Sequence, residues 1–78
     1  MSREEILTNL KEVLHNIHPK TDLSNVSDST DLLHDLHVDS LSMLILALAT
    51  EQKFNIRIET KNPFVTVGDV IDYIEKSL

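Results

Sequence analysis

Between Leu41 and Ala49 the only polar side chain is Ser42. A run this short cannot span a bilayer as a helix, and a chain of 78 residues has little interior in which to hide it. Asp39 and Ser40 stand at its mouth. Both are residue types whose side-chain oxygens accept bonds from the free amides of a helix N-terminus. The pattern predicts a helix from about Ser40 to Phe54 that is apolar on nearly every side. Such a helix is not buried all round in a domain this small, so part of its apolar surface faces outward.

The remaining elements are also helical. Ser2, with Glu5 three residues on, has the form of a capping box. Ile6, Leu7, Leu10, Val13, Leu14 and Ile17 then recur at helical spacing, which places a first helix at residues 2 to 17. Pro19 disfavours helix at His18 and ends it. Residues 18 to 38 form a long polar connection anchored by Leu23 and Val26, with a helical turn at Leu32, Leu33 and Leu36. Ile56 and Ile58 alternate as in a strand but have no partner strand, so 55 to 65 reads as a loop with at most a short helical turn near Pro63 to Val65. The last helix begins at Thr66, where Asp69 completes a second cap pattern, and Val67, Val70, Ile71, Ile74 and Leu78 form its inward stripe. With one Gly and two Pro to mark turns, the chain is expected to be all-α. The expected fold is a small bundle of three to four helices, with a long loop between the first two, over a single domain at 1–78.

Charge narrows the partners. The formal net charge is −6, which argues against nucleic acid and against an anionic membrane surface. No Lys or Arg lies between Lys20 and Lys53, whereas Asp22, Asp28, Asp31, Asp35, Asp39 and Glu51 all do. A stretch of one sign attracts basic partner proteins, or simply solubilises a loop. The chain has no Cys, hence no disulfide, thiolate nucleophile or Cys-based zinc site. The N-terminus has acids among its apolar residues, unlike a secretory signal. A soluble, cytoplasmic protein without membrane insertion is expected.

With Asp39 as the cap, Ser40 falls at the first helical position and its hydroxyl is not needed by the backbone. There the helix dipole and free amides favour a phosphate, although a redundant second cap is the simpler reading of Ser40 alone. A hydrolytic serine is disfavoured: His37 and Asp35 are near in sequence, but there is no G-x-S-x-G and no room for a substrate cleft. The pairs His15/His18 and His34/His37 have helical spacing without further ligands, so they read as solvated side chains and no metal site is expected.

Three segments together resemble the acyl carrier proteins over nearly the whole chain. "DLHVDSL" (35–41) is similar to the family's D-L-G-x-D-S-L, "FNIRI" (54–58) to its F-x-I-x-I, and "TVGDVIDYI" (66–74) to its T-V-G-D-x-x-x-Y-I. The resemblance implies that Ser40 carries 4′-phosphopantetheine, installed from coenzyme A by a phosphopantetheinyl transferase. It also implies that Asp39 helps to hold the transferase's metal. The working thiol would then arrive with the cofactor, and acyl groups would ride on it as thioesters during fatty-acid, polyketide or related lipid biosynthesis. The chain would be a monomeric carrier and no enzyme, meeting acyl-transferring and acyl-modifying enzymes through Asp35, Leu41, Ile45 and Glu51. Leu44, Leu48, Phe54, Ile58 and Val67 are expected to shelter the acyl chain. Helical spacing turns Leu44, Ala47 and Leu48 inward, and Ser42, Ile45, Ala49 and Gln52 outward.

The chain departs from the family at His37, which replaces a Gly. Ser42 and Ile45 stand where acids are usual, Gln52 and Lys53 dilute a Glu run, and the segment between Ile58 and Gly68 is short. The acid-poor second helix favours a specialised pathway (polyketide, lipopeptide or modified lipid) over general fatty-acid synthesis. The competing functions are an unmodified helical protein-interaction module and a peptidyl or aminoacyl carrier.

Overall fold

The computed structural model describes residues 1–59 and 64–78. It contains three helices: α1 (Arg3–Ile17), α2 (Ser40–Phe54) and α3 (Val67–Ser77). Among the described residues there is no strand, only an isolated antiparallel bridge between Asp31 and Thr66. No helix there is long and apolar enough to cross a membrane. The short turn expected near Pro63 to Val65 falls partly outside the described residues, and Phe64 and Val65 are not helical.

Each helix starts where its cap chemistry dictates. Ser2 accepts the Glu5 amide at α1, and Asp39 accepts the Ser42 amide at α2. Thr66 and Asp69 form a complete reciprocal box at α3. α1 ends at His18, ahead of Pro19. α2 ends at Asn55, whose φ of 54° is left-handed. Asn tolerates that conformation better than most residues, and the turn lets the Ile56 amide reach the Glu51 carbonyl at 3.1 Å.

α1 packs against both α2 and α3. Ile6, Leu10, Val13 and Leu14 meet Leu46 and Phe54 of α2, and Val67, Val70, Ile71 and Ile74 of α3, in one buried cluster. The long loop contributes Leu32, Leu36 and Val38 to that cluster, with Leu23 and Val26 packed at its edge. Its backbone is stitched to the start of α3. The Leu32 amide donates to the Val65 carbonyl (2.9 Å), Val67 to Thr30 (3.0 Å) and Gly68 to Asp28 (2.8 Å). Arg3 closes the far end by pairing with Asp28, Asp72 and Glu75. The segment after α2 is held by Tyr73, whose hydroxyl accepts the Glu59 amide and donates to the Arg57 carbonyl. Tyr73 also meets Phe64 edge to face at 5.7 Å.

The outward side of α2 differs from the sequence expectation. Leu44 is 58% exposed and Leu48 54%, whereas Leu46 is 1% exposed. Ser42, expected outside, is buried, and Ala47 is only half-buried. The inward face is Ser42, Leu46, Thr50 and Phe54, with Ala49 packed at its edge. The physical reason is that a helix apolar all round carries almost no preference for one phase. Tertiary anchors decide it, namely Phe54 in the core and Ser42 against α1. Ile45 is 43% exposed, as its expected outward position requires. The phase has a cost, because the Thr50 hydroxyl is buried without a hydrogen-bond partner among the described residues.

Candidate functional site

The loop leading to α2 enters through a backbone conformation unusual for its residue. His37, where the resembled motif has Gly, has φ 59°. A side chain in the left-handed region crowds the following carbonyl, although His is found there more often than bulky residues are. The structure therefore keeps the turn that the Gly pattern implies, with strain in place of glycine's freedom. His37→Gly is expected to stabilise the protein by about 1 kcal/mol, read as a rise in melting temperature of roughly 4–8 °C. A lower melting temperature would show that the His37 side chain supports the loop.

Past this turn, Val38 is buried and Asp39 caps α2. The Asp39 carboxylate accepts the Ser42 amide at 2.9 Å. That bond first, then the Ser42 hydroxyl and the His18 charge, hold the Asp39 carboxyl below the usual carboxylate range. Asp39 is therefore ionised at neutral pH and occupied by the backbone. Ser40, the first residue of α2, is exposed, and its hydroxyl makes no hydrogen bond among the described residues. It is free to react. No acid stands in the first turn of α2, so an anion on the Ser40 oxygen would meet free amides and the positive end of the helix dipole. A phosphate ester fits this position.

Beside Ser40 lies an open groove of about 300 Å³, with Leu33, Val38, Met43, Phe64 and Val65 as its apolar walls and Asp39 and Ser40 at its rim. It is a different surface from the expected acyl shelter. Leu44 and Leu48 point away from the core, Phe54 and Val67 are buried within it, and Ile58 is half-buried. None of the five lines the groove. Sequence reasoning missed it because its walls come from the loop, the early part of α2 and the residues before α3, which no helical spacing brings together.

The expected partner residues divide. Leu41 is 67% exposed and, with Leu44, Ile45 and Leu48, forms an outward apolar stripe at helical spacing. Asp35 and Glu51 have internal duties: Asp35 accepts the Asp31 amide (2.8 Å), and Glu51 accepts the Ile58 amide (3.0 Å). The histidines also differ from one another. His15, His34 and His37 are exposed, whereas His18 is half-buried, with Nε2 3.1 Å from Ser42 Oγ. The reading of His18 as a solvated side chain is thus corrected. No local signal marks this contact, since its partners are 24 residues apart.

The family model described as a phosphopantetheine attachment site matches residues 4–74. An acyl carrier protein of Acidothermus cellulolyticus is 46% identical, over 95% of this chain and 89% of its own. An acyl carrier protein of Thermotoga maritima is 34% identical, over 99% of this chain and 96% of its own. A meromycolate extension acyl carrier protein of Mycolicibacterium aurum is 35% identical, over 96% of this chain and 78% of its own. The matches run through the cap, the exposed serine and the terminal capping box alike: the chain belongs to the acyl carrier protein family, whose members carry acyl groups on 4′-phosphopantetheine.

Proposed function

We propose that Ser40 is the attachment residue, and that residues 1 to 78 act as one monomeric, cytoplasmic carrier unit that performs no catalysis. The observation that carries this reading is the division of labour at the start of α2. Asp39 does the capping and leaves the Ser40 hydroxyl exposed and without a hydrogen bond among the described residues. The bound group supplies the thiol that this Cys-free chain lacks. The chain's own residues do the rest. Ser40 offers its oxygen to the transferase, the α2 amides stabilise the resulting phosphodiester, and Asp39 lends its ionised carboxylate to the transferase's metal.

The groove walled by Leu33, Val38, Met43, Phe64 and Val65 suits the first part of an acyl chain, since each buried CH₂ favours shelter by ~0.8 kcal/mol. Acyl-transferring and acyl-modifying enzymes dock on the outward stripe of Leu41, Leu44, Ile45 and Leu48. The cargo belongs to fatty-acid, polyketide or related lipid biosynthesis. The apolar stripe, with Ile45 at its centre, favours a specialised enzyme set over general fatty-acid synthesis. The mycobacterial relatives named for meromycolate extension are in keeping with such a specialisation.

Intact-mass analysis tests the attachment. Incubated with coenzyme A and a broad-specificity transferase, the wild-type protein is expected to gain one phosphopantetheine, on the peptide that contains Ser40. Ser40→Ala is expected to gain none. A modified alanine variant would place the attachment elsewhere, and an unmodified wild type would return the chain to the class of plain interaction modules.

A further inference from the structure

His18 closes α1 and is fixed on both flanks. Its amide donates to the Leu14 carbonyl (2.8 Å) and its own carbonyl accepts the Thr21 amide (3.1 Å). The ring reaches across to α2, where Nε2 lies 3.1 Å from Ser42 Oγ. Ser42 is only 9% exposed, so water competes poorly for this bond. The amide of the same Ser42 is the one that Asp39 caps, at 2.9 Å. Asp39 directly precedes Ser40. One continuous run of contacts therefore joins the end of α1 to the residue beside the reactive hydroxyl: His18 to Ser42, Ser42 to Asp39, Asp39 to Ser40. At the other end of the same helix pair, Lys53 and Glu12 make an exposed ion pair at 2.6 Å. Ion pairs of that kind hold weakly. The half-buried His18 bond is the stronger restraint on where the first turn of α2 sits relative to α1.

We propose that His18 is a positioning residue for the modification of Ser40, holding Ser42 so that the Asp39 cap and the Ser40 hydroxyl keep one orientation toward the transferase. This rests on Ser40 being the attachment residue. His18 touches neither the reacting oxygen nor the groove beside it and acts through Ser42. With Nε2 protonated the ring donates to the hydroxyl oxygen, and with Nδ1 protonated Nε2 accepts the hydroxyl proton, so the contact is made in either tautomer. Loss of the ring leaves a buried hydroxyl short of a partner at the third residue of α2, and the cap loosens. His18 lies outside the exposed stripe of Leu41, Leu44, Ile45 and Leu48, and the cost is expected to fall on turnover.

The test compares transferase kinetics of wild type, His18→Ala, His18→Gln, Ser42→Ala and the His18→Ala/Ser42→Ala pair, at a temperature where circular dichroism shows all of them folded. His18→Ala and Ser42→Ala are each expected to lower kcat on the order of tenfold with KM nearly unchanged, the scale of a small misplacement of a reacting group. The double variant is expected to lose no more than the worse single one, because the two side chains act through one bond. His18→Gln, whose side-chain amide can donate or accept, is expected to recover most of the rate. Amide hydrogen exchange of the unmodified proteins supplies a second reading: the Ser42 amide should exchange faster in His18→Ala than in wild type.

Wild-type kcat in His18→Ala, losses that multiply in the pair, or an unchanged Ser42 amide would each overturn the role. A wild-type protein that takes no phosphopantetheine overturns the Ser40 reading and the role together. Normal modification of both wild type and His18→Ala overturns the role alone.

Discussion

Leu46→Ala is expected to destabilise the protein by about 2–5 kcal/mol, and Leu44→Ala, two residues away, by less than about 0.5 kcal/mol. The residue types are identical and the helix is the same; only the face differs, with Leu46 in the core and Leu44 outside. Leu46 packs in the cluster that joins α1, α2 and α3, so truncation leaves a cavity among residues that relax only in part. For a domain of this length the total stability is on the order of 4–12 kcal/mol, and the loss is a large fraction of it. Thermal unfolding measures both variants. A fall in melting temperature for Leu44→Ala matching that of Leu46→Ala would show that α2 is rotated from the phase described. Turnover with the native acyl-handling enzymes gives the complementary result: the stable Leu44→Ala protein is expected to be the poorer partner, because it has lost part of the outward stripe.

Gly68→Ala is expected to lower stability by about 2 kcal/mol, or roughly 10 °C in melting temperature. At most helix positions this substitution helps, since alanine is the better helix former by about 1 kcal/mol. Here a Cβ would lie 2.8 Å from the Asp28 backbone oxygen and 3.2 Å from the Asp28 Cβ. The Gly68 amide already binds that same oxygen, so the loop cannot retreat without giving up a 2.8 Å hydrogen bond. Backbone is the obstacle, and no flexible side chain can swing aside. Faster exchange of the Leu32 and Val67 amides would locate the damage at the loop–α3 seam. A variant as stable as wild type would show that the seam is slack.

What could be read in the chain beforehand was what short-range chemistry decides. Ser2, Asp39 and the Thr66–Asp69 pair mark the starts of helices because caps act over three residues. Pro19 ends α1 because its ring excludes helix just before it. Capping alone does not single out Ser40, which beside Asp39 reads as a redundant cap; the resemblance of residues 35–41 to the family motif does. The faces of α2 could not be read this way. Leu41, Met43, Leu44, Ile45, Leu46 and Leu48 leave no polar stripe from which to judge its rotation, and the rotation was settled by Phe54 and by Ser42 against His18. The groove beside Ser40 was hidden because Leu33, Met43 and Phe64 belong to three separate segments. No local pattern marks His18, because its partner Ser42 lies on another helix.

The seam between the long loop and α3 also sets an order of events during synthesis. The backbone bonds of α1 and α2 close within each helix, but the loop between them takes its course from Val65, Thr66, Val67 and Gly68. Closing contacts across such long separations comes late in folding, after the local helices have begun to form. A nascent chain that has not yet released those residues from the ribosome can close the turn at His37 through the bond from the Val38 amide to the Leu32 carbonyl (2.9 Å), but it lacks the anchor on α3. The loop that leads to Ser40 therefore reaches its final course only once α3 has packed against it.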